Sequence, residues 1–315
     1  MTARLGNGRK VLALAKAALD ADTDGFVALV EEVTCMLEKE AAQVGKMLVE
    51  GKLVTLAPEG EAIIVGDVHG DLESLVHILK DSGFLQNIQS HKDVMLIFLG
   101  DYGDRGLYSA DVYYMVLQLK KWFPENVILM RGNHEGPEDL LASPHDLPFQ
   151  FRHRFGQNGE STYNSIRLLF NQLYNTVLVK ERYILIHGGF PTKARSLDDL
   201  AYAHKKHPKE TFLEEILWND PEEGIAETCA SPRGAGKLFG HDVTARFLGM
   251  FQVNMLIRGH EPSMEGFKLN HSGRVLTLFS RKGAPYYNEQ AAYLKIDLAR
   301  KVKSADDLAP WIRKF

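Results

Sequence analysis

Short apolar runs alternate with amphipathic stretches from about residue 60 onward. The runs Ala62–Val65, Val94–Leu99 and Val127–Met130 have the length and the β-branched composition of buried strands. The stretches between them, Leu72–Leu79 and Ser109–Trp122, have apolar residues at helical spacing. Strands that alternate with helices in this way predict βαβ units with parallel strands. This part of the chain is therefore predicted to be α/β.

Later apolar runs have fewer helical stretches between them. These runs are Tyr183–Ile186, Met255–Ile257, Val275–Phe279 and Ala291–Ile296. We interpret all four as strands of a second sheet, with mixed strand directions.

The first fifty residues have a helical pattern and carry no motif. Apolar residues recur between Phe26 and Leu48, with Asp24 as the predicted N-cap and Gly51 closing the run. No repeat, low-complexity tract or linker marks a domain boundary. We predict that residues 1–52 form a helical segment, which packs on a single catalytic domain formed by residues 53–315.

Composition and charge restrict the class of protein and its partners. Hydrophobic residues make up 45% of the 315 residues and charged residues 25%, which is ordinary for a soluble globular protein. The net charge of −4 gives no reason to expect nucleic acid or an anionic membrane as a partner. Cys35 and Cys229 lie outside any CxxC pair, no apolar stretch could cross a bilayer, and the N-terminus lacks a signal-peptide pattern. We therefore expect a cytoplasmic protein.

Five of the apolar runs are followed by a polar side chain beside glycine. In chain order the segments that follow are GDVHGD, GDYGDRG, RGNHE, HGG and RGHE, which begin at Gly66, Gly100, Arg131, His187 and Arg258. Ligands bind at the carboxyl ends of strands in open α/β sheets, and glycine lets the backbone approach a ligand closely. We therefore expect these five segments to converge on one cleft.

The side chains in these segments are ligand types for metals. The candidate ligands are Asp67, His69, Asp101, Asn133, His187 and His260. Carboxylate, amide and imidazole groups without a thiolate suit manganese, iron or zinc better than a purely oxygen-lined site would. Six ligands suit two metals that share one carboxylate and a water, a pair that generates hydroxide and stabilises in-line displacement at phosphorus. Arg105 follows one motif and could hold a phosphate through its planar guanidinium group.

Taken together and in this order, the five motifs closely resemble those of the phosphoprotein phosphatase (PPP) family, within the calcineurin-like metallophosphoesterase superfamily. The resemblance runs from about Gly66 to Lys295. It implies a metallophosphoesterase fold in which two mixed β-sheets pack as a central sandwich flanked by helices. It also implies a protein serine/threonine phosphatase that acts on phosphoserine and phosphothreonine proteins. Two divalent metal ions would be bound, with manganese expected and iron or zinc as alternatives.

The resemblance assigns a role to each matching residue. Asp67 and His69 would bind the first metal, Asp101 would bridge both, and Asn133, His187 and His260 would bind the second. A hydroxide bridging the metals would attack phosphorus in line.

The remaining roles concern the leaving group and the phosphate. His134 would be the general acid, held by Asp104, and Arg105 would bind the phosphate. Arg233, in a Ser-Pro-Arg-Gly segment, resembles the second phosphate-binding arginine of the family.

Three segments depart from the family pattern. Gly103 stands where the family usually has valine, a change that we expect to be tolerated. The segment Gly136–Glu138 after RGNHE differs from the usual continuation, which suggests a rearranged helix there. The segment Arg281–Tyr287 lacks the SAPNY motif of the family. Either Tyr286 or Tyr287 could supply the tyrosine that this loop has in the family.

Other interpretations of these residues stay open at this point. His187 alone could be a core histidine, and Arg233 could lie in an ordinary surface turn. The histidines outside the motifs, His145 among them, are interpreted as surface or core residues. As functions, the alternatives are a diadenosine-tetraphosphate hydrolase or another small-molecule phosphoesterase on the same metal core, and a catalytically inactive scaffold that binds phosphoproteins. An inactive scaffold is expected to lack a ligand or the general acid, and none is missing.

Overall fold

Helices surround two large β-sheets in the computed structural model, which describes residues 7–315. The helices are α1 (Asn7–Asp20), α2 (Thr23–Lys39), α3 (Leu72–Asp81), α4 (Phe84–Gln89), α5 (Ser109–Trp122), α6 (Leu147–Phe155), α7 (Gly159–Phe170), α8 (Leu197–Ala201), α9 (Ala203–Lys206), α10 (Phe212–Trp218) and α11 (His241–Phe251). The strands are β1 (Ala42–Val44), β2 (Met47–Glu50), β3 (Leu53–Leu56), β4 (Glu61–Val65), β5 (Val94–Phe98), β6 (Val127–Leu129), β7 (Thr176–Val179), β8 (Tyr183–Ile186), β9 (Asp220–Pro221), β10 (Thr228–Ala230), β11 (Lys237–Phe239), β12 (Met255–Arg258), β13 (Phe267–Asn270), β14 (Val275–Leu278), β15 (Ala292–Asp297) and β16 (Ile312–Lys314). Short 3₁₀ turns lie at Glu138–Leu140, Gly156–Asn158 and Ala305–Trp311.

The smaller of the two large sheets has the order β16-β15-β4-β5-β6. Strands β4, β5 and β6 are parallel, and α3 and α5 lie in the connections between them, which confirms the predicted βαβ units. One prediction was wrong. The run Ala291–Ile296 joins this sheet rather than the second one, because β15 pairs antiparallel with β4, with Tyr293 opposite Val65. An apolar run predicts a buried strand but does not identify its neighbour.

The larger sheet has the order β1-β2-β3-β7-β8-β12-β14-β13 and contains both parallel and antiparallel pairs, as predicted. Its side chains alternate between two apolar clusters. Leu185 and Ile257 point into the cluster shared with the smaller sheet, whereas Ile184, Ile186 and Leu256 face the cluster formed with α10 and α11. The two sheets thus pack as a sandwich with helices outside.

The N-terminal segment differs from its prediction beyond residue 39. The side chain of Asp22, not Asp24, caps α2 by accepting a hydrogen bond from the Gly25 amide at 2.8 Å. After α2 the chain forms the hairpin β1–β2, so the prediction of helix across Val44 and Leu48 was wrong. Buried and exposed residues alternate along β2, a period of two that the longer helical window concealed.

A domain boundary at residue 52 would separate β2 from β3, two paired strands of one sheet. Helices α1 and α2 pack against α5, as expected of a helical segment on the core. Among residues 7–315, no helix has both the length and the apolar character that a membrane span requires.

Gly103 lies where neighbouring side chains leave no room for a Cβ atom. A Cβ there would be 2.8 Å from the Tyr113 ring and 2.9 Å from Cδ1 of Leu147. Tyr113 and Leu147 therefore occupy the space that a valine side chain would need.

We expect Gly103→Val to lower the free energy of unfolding by about 1–3 kcal/mol, the usual cost of overpacking a filled core. Urea denaturation measures this change. Gly249→Val is the matched control, because a Cβ at Gly249 meets open space on α11. In a helix that change is expected to be neutral or stabilising by about 0.4 kcal/mol. Equal midpoints for both variants would contradict the packing argument.

Candidate active site

Five strand ends bring the six candidate ligands together. Asp67 and His69 follow β4, Asp101 follows β5, Asn133 follows β6, His187 follows β8 and His260 follows β12. All six side chains are buried. A bridge between Asp67 and Phe279 joins the two sheets at this edge, so that both contribute to one cleft. The predicted convergence is therefore present.

Asp101 lies between two histidines of the cluster. Its Oδ2 is 3.5 Å from Nε2 of His69, and its Oδ1 is 3.5 Å from Nε2 of His187. Asp67 approaches the same His69 nitrogen at 3.7 Å. Within the described residues, His69, Asp101 and His134 form one buried group that could hold a metal ion, and Asp101, His187 and His260 form a second. A carboxylate in this position can serve both.

Backbone carbonyls orient two of the imidazole rings. Nδ1 of His69 is 2.9 Å from the carbonyl oxygen of Gly103, and Nδ1 of His187 is 2.9 Å from that of Leu99. A histidine whose Nδ1 donates to a carbonyl presents the lone pair of Nε2 to a metal. Both Nε2 atoms face the centre of the cluster.

Two further observations indicate that the polar side chains of the cluster fit a cation. The amide oxygen of Asn133 is 3.1 Å from Nε2 of His187 and 2.9 Å from Nδ1 of His260. An amide nitrogen in that position would donate hydrogen bonds to both imidazole nitrogens. An amide oxygen in the same position fits those nitrogens only if all of them bind a shared cation. Among residues 7–315, Oδ2 of Asp67 is buried without a hydrogen-bond partner. Burial, together with the charge of Asp101, raises the pKa of Asp67 to about 7, a penalty that a divalent cation would remove.

The backbone around the cluster is strained at several residues. The residues with φ between +44° and +74° include His69, Asp101, Asp104, Arg105 and His260. Non-glycine residues in this region cost about 1–3 kcal/mol each and are characteristic of functional sites.

Two glycines allow the closest approaches to the acidic ligands. A Cβ at Gly132 would lie 2.1 Å from Oδ1 of Asp101, and one at Gly259 would lie 2.3 Å from Oδ1 of Asp67. Any side chain at either position would displace a candidate ligand, which explains the glycine in the RGNHE and RGHE motifs.

His134 and Asp104 form a buried pair beside the ligand cluster. Nδ1 of His134 is 2.6 Å from Oδ2 of Asp104, and the His134 ring contacts His69 edge-on. Burial alone would lower the pKa of His134, but the charges of Asp101 and Asp104 outweigh burial and raise it. The pair therefore favours a protonated imidazole that faces the cleft.

Both predicted phosphate-binding arginines line the same open cleft, of about 870 Å³. Nε of Arg233 donates to Oδ2 of Asp220 at 2.6 Å, and Arg258 donates to the other oxygen of Asp220 at 2.7 Å. Asp220 thus fixes Arg233 toward the cleft, which disfavours the interpretation of Arg233 as an ordinary surface turn.

The loop that departs from the family pattern places Tyr286, not Tyr287, at the cleft. The ring of Tyr286 stacks on His69 with centroids 5.6 Å apart, and the Arg281 guanidinium lies 5.3 Å from its centroid. Tyr287 is 75% exposed. The segment after RGNHE forms a 3₁₀ turn at Glu138–Leu140, and Leu141 beside it lines the cleft.

Sequence reasoning missed two residues of this site. Asp220 begins β9, two residues after α10 ends at Trp218, and an acidic residue at such an element end was a usable signal. His145 was assigned to the surface or core, yet its Nδ1 is 2.7 Å from Oδ2 of Asp104. No strand or glycine motif precedes His145, so the pattern that revealed the six candidate ligands could not reveal this residue.

Residues 62–264 match the family model described as calcineurin-like phosphoesterase, which is more than half of the chain. The chain belongs to the calcineurin-like phosphoesterase family. The matched region contains all six candidate ligands together with His134, Asp104, Arg105 and Arg233.

Relatives of this phosphoesterase include a probable serine/threonine-protein phosphatase of Encephalitozoon cuniculi. The two are 36% identical over 230 residues, which cover 72% of this chain and 48% of the relative. The matched part is thus about half of the length of that relative.

Two solved structures share the fold. A serine/threonine phosphatase of Saccharomyces cerevisiae superposes with a TM-score of 0.74 at 22% identity, covering 94% of this chain and 90% of its own. A cold-active protein-tyrosine phosphatase of a psychrophilic Shewanella has a TM-score of 0.57 at 16% identity, covering 85% and 80%. At these identities the likeness concerns the fold alone.

Proposed function

We propose that this protein is a metal-dependent protein serine/threonine phosphatase. The observation that carries the proposal is the position of His134. Held by Asp104 behind it, His134 lines one open cleft with members of the ligand cluster and with Arg105 and Arg233. A seryl or threonyl alkoxide is a poor leaving group and needs a proton donor at this position. The relative from E. cuniculi, which bears a serine/threonine phosphatase name, adds support.

The ligand cluster would hold two divalent metals. The residues that would hold them are Asp67, His69, Asp101, Asn133, His187 and His260. When bound, such a pair supplies an activated water and charge stabilisation for displacement at phosphorus. Mixed nitrogen and oxygen donors favour manganese, with iron or zinc as alternatives.

The protein's own side chains would do the remaining work. Arg105 and Arg233 would hold the phosphoryl oxygens and strengthen those bonds as negative charge develops. His134 would give its Nε2 proton to the leaving oxygen as the P–O bond breaks. Asp104 would keep that ring in position through Nδ1. Tyr286 would close one side of the cleft above His69.

Removing either arginine is expected to weaken catalysis selectively. Arg105→Ala should lower kcat/KM by about 10²-fold, the usual effect of losing one such donor in a transition state. Arg233→Ala should also lower it, and the corresponding lysine variants should recover only part of the loss, because lysine lacks the planar fork. Steady-state kinetics with a phosphopeptide measures this.

Arg246→Ala is the control, because Arg246 is exposed and its ion pair with Glu227 is long, at 3.7 Å. Wild-type kinetics in Arg233→Ala would remove Arg233 from the site.

A substrate panel tests the proposed function. Purified protein with Mn²⁺ would be assayed on phosphoserine, phosphothreonine and phosphotyrosine peptides and on diadenosine tetraphosphate. We expect phosphate release from the phosphoserine and phosphothreonine peptides to be the fastest. Preferential cleavage of the dinucleotide would establish the small-molecule phosphoesterase instead, and no turnover of any substrate would favour the scaffold.

A further inference from the structure

The Asp104 carboxylate accepts hydrogen bonds from two imidazole groups rather than one. Nδ1 of His145 is 2.7 Å from the same Oδ2 atom that Nδ1 of His134 contacts at 2.6 Å. The other oxygen of Asp104 accepts the backbone N–H of Leu147 at 2.6 Å. Burial alone would raise the pKa of Asp104, but the hydrogen bonds from His134 and His145 outweigh burial and lower it well below its ordinary value. The carboxylate is therefore ionised and fully engaged.

His145 is itself anchored on its far side. Its Nε2 is 2.7 Å from the hydroxyl of Tyr163 on α7, so that His134, Asp104, His145 and Tyr163 form a continuous hydrogen-bonded chain. The His145 side chain is only 11% exposed. A ring that is bonded at both nitrogens and packed in this way can hold its partner in one orientation.

We propose that His145 is a positioning residue for the general acid. It would act through Asp104, holding the carboxylate so that the His134 ring points its free nitrogen at the leaving oxygen. This inference rests on the proposed function, because positioning matters only if His134 donates a proton. His145 would contact neither substrate nor metal.

Loss of this support has a specific expected signature. A displaced general acid hinders the departure of a poor leaving group, but matters little for a good one such as p-nitrophenolate. A purely structural defect would instead lower the rates for all substrates together. The dependence of kcat/KM on leaving-group pKa therefore separates the two roles.

Two isosteric substitutions divide the contacts of His145. In His145→Asn the amide nitrogen overlies Nδ1, which keeps the donation to Asp104 and loses Tyr163. In His145→Gln the amide overlies Nε2, which keeps Tyr163 and loses Asp104. His153→Gln, on an exposed histidine of α6, is the matched control.

The experiment measures kcat/KM over a series of aryl and alkyl phosphates for each variant. We expect His145→Gln to lose about 10-fold on the poorest leaving groups and less than about 3-fold on p-nitrophenyl phosphate, a fraction of what a general acid contributes. His145→Asn should stay within about 3-fold of wild type throughout, because the bond to Asp104 remains. His153→Gln should match wild type.

A double-mutant cycle with His134→Asn completes the test. If His145 acts through His134, then adding His145→Gln to His134→Asn should lower the rates by less than about 2-fold, because the group that it positions is already gone. Parallel leaving-group plots for His145→Gln and wild type, or additive losses in the cycle, would overturn the inference. Absence of wild-type turnover on every phosphomonoester would instead refute the proposed function.

Discussion

Asp101→Asn is expected to abolish phosphatase activity while leaving the fold intact. The Asp101 carboxylate faces Nε2 of His69 on one side and Nε2 of His187 on the other, each at 3.5 Å. Asparagine has the same shape but lacks the charge that would hold two cations. Loss of a residue that only hydrogen-bonds to a metal ligand lowers metal affinity or activity by about 10–100-fold. Loss of a ligand that serves both metals should therefore lower activity by more than about 100-fold.

The same substitution at Asp67 gives a graded comparison. Among the ion pairs of the part of the chain that the structure describes, Asp67 pairs only with the His69 imidazole, so that Asp67→Asn should impair one metal more than the other. We expect metal content per chain, measured by elemental analysis after dialysis, to fall furthest in Asp101→Asn. Asp242→Asn is the control, because its carboxyl group is 55% exposed and pairs only with His241 among the ion pairs of the described residues. Circular dichroism checks the fold.

Wild-type metal content together with lost activity in Asp101→Asn would contradict its assignment as a ligand. Retained activity would contradict the metal-centred site as a whole.

His134→Asn is expected to impair phosphopeptides far more than p-nitrophenyl phosphate. A general acid contributes about 10²–10⁴-fold where the leaving group needs a proton. The rate of the wild type should depend weakly on leaving-group pKa, and that of the variant should depend on it steeply. Asp104→Asn should show a milder change of slope, since the His134 ring remains but loses its 2.6 Å partner.

The alternative role for His134 is structural support of the adjacent candidate ligand Asn133. In that case the variant should lose activity equally on every substrate and should also lose metal. Parallel leaving-group plots for the wild type and the variant, with metal content measured in both, would remove His134 from the acid role.

The sequence predicted which residues converge on the cleft, but it did not identify the strand partners around them. Candidate ligands at strand ends leave a local signature, an apolar run followed by a polar residue and glycine, and this signature located residues such as Asp101 and His187. Strand partners leave no such signature, because pairing joins residues far apart in the chain. The run at β15 was for this reason assigned to the wrong sheet, although its burial was predicted correctly.

The N-terminal error has a related cause. Between residues 40 and 51 a helical period and a strand period both fit the apolar positions, and Gly45, with φ of +55°, decides for a hairpin turn. His145 shows the other limit of sequence reasoning. Its importance arises only from the folded contact with Asp104, which no pattern near residue 145 encodes.

The proposed function requires a two-metal centre in this cleft that hydrolyses phosphoserine and phosphothreonine. Titrating Mn²⁺ into metal-stripped protein, with phosphate release from a phosphothreonine peptide as the readout, tests it most directly. We expect no turnover without metal and a rise in activity that reaches its plateau at about two Mn²⁺ per chain. Full activity in the metal-stripped protein would contradict it.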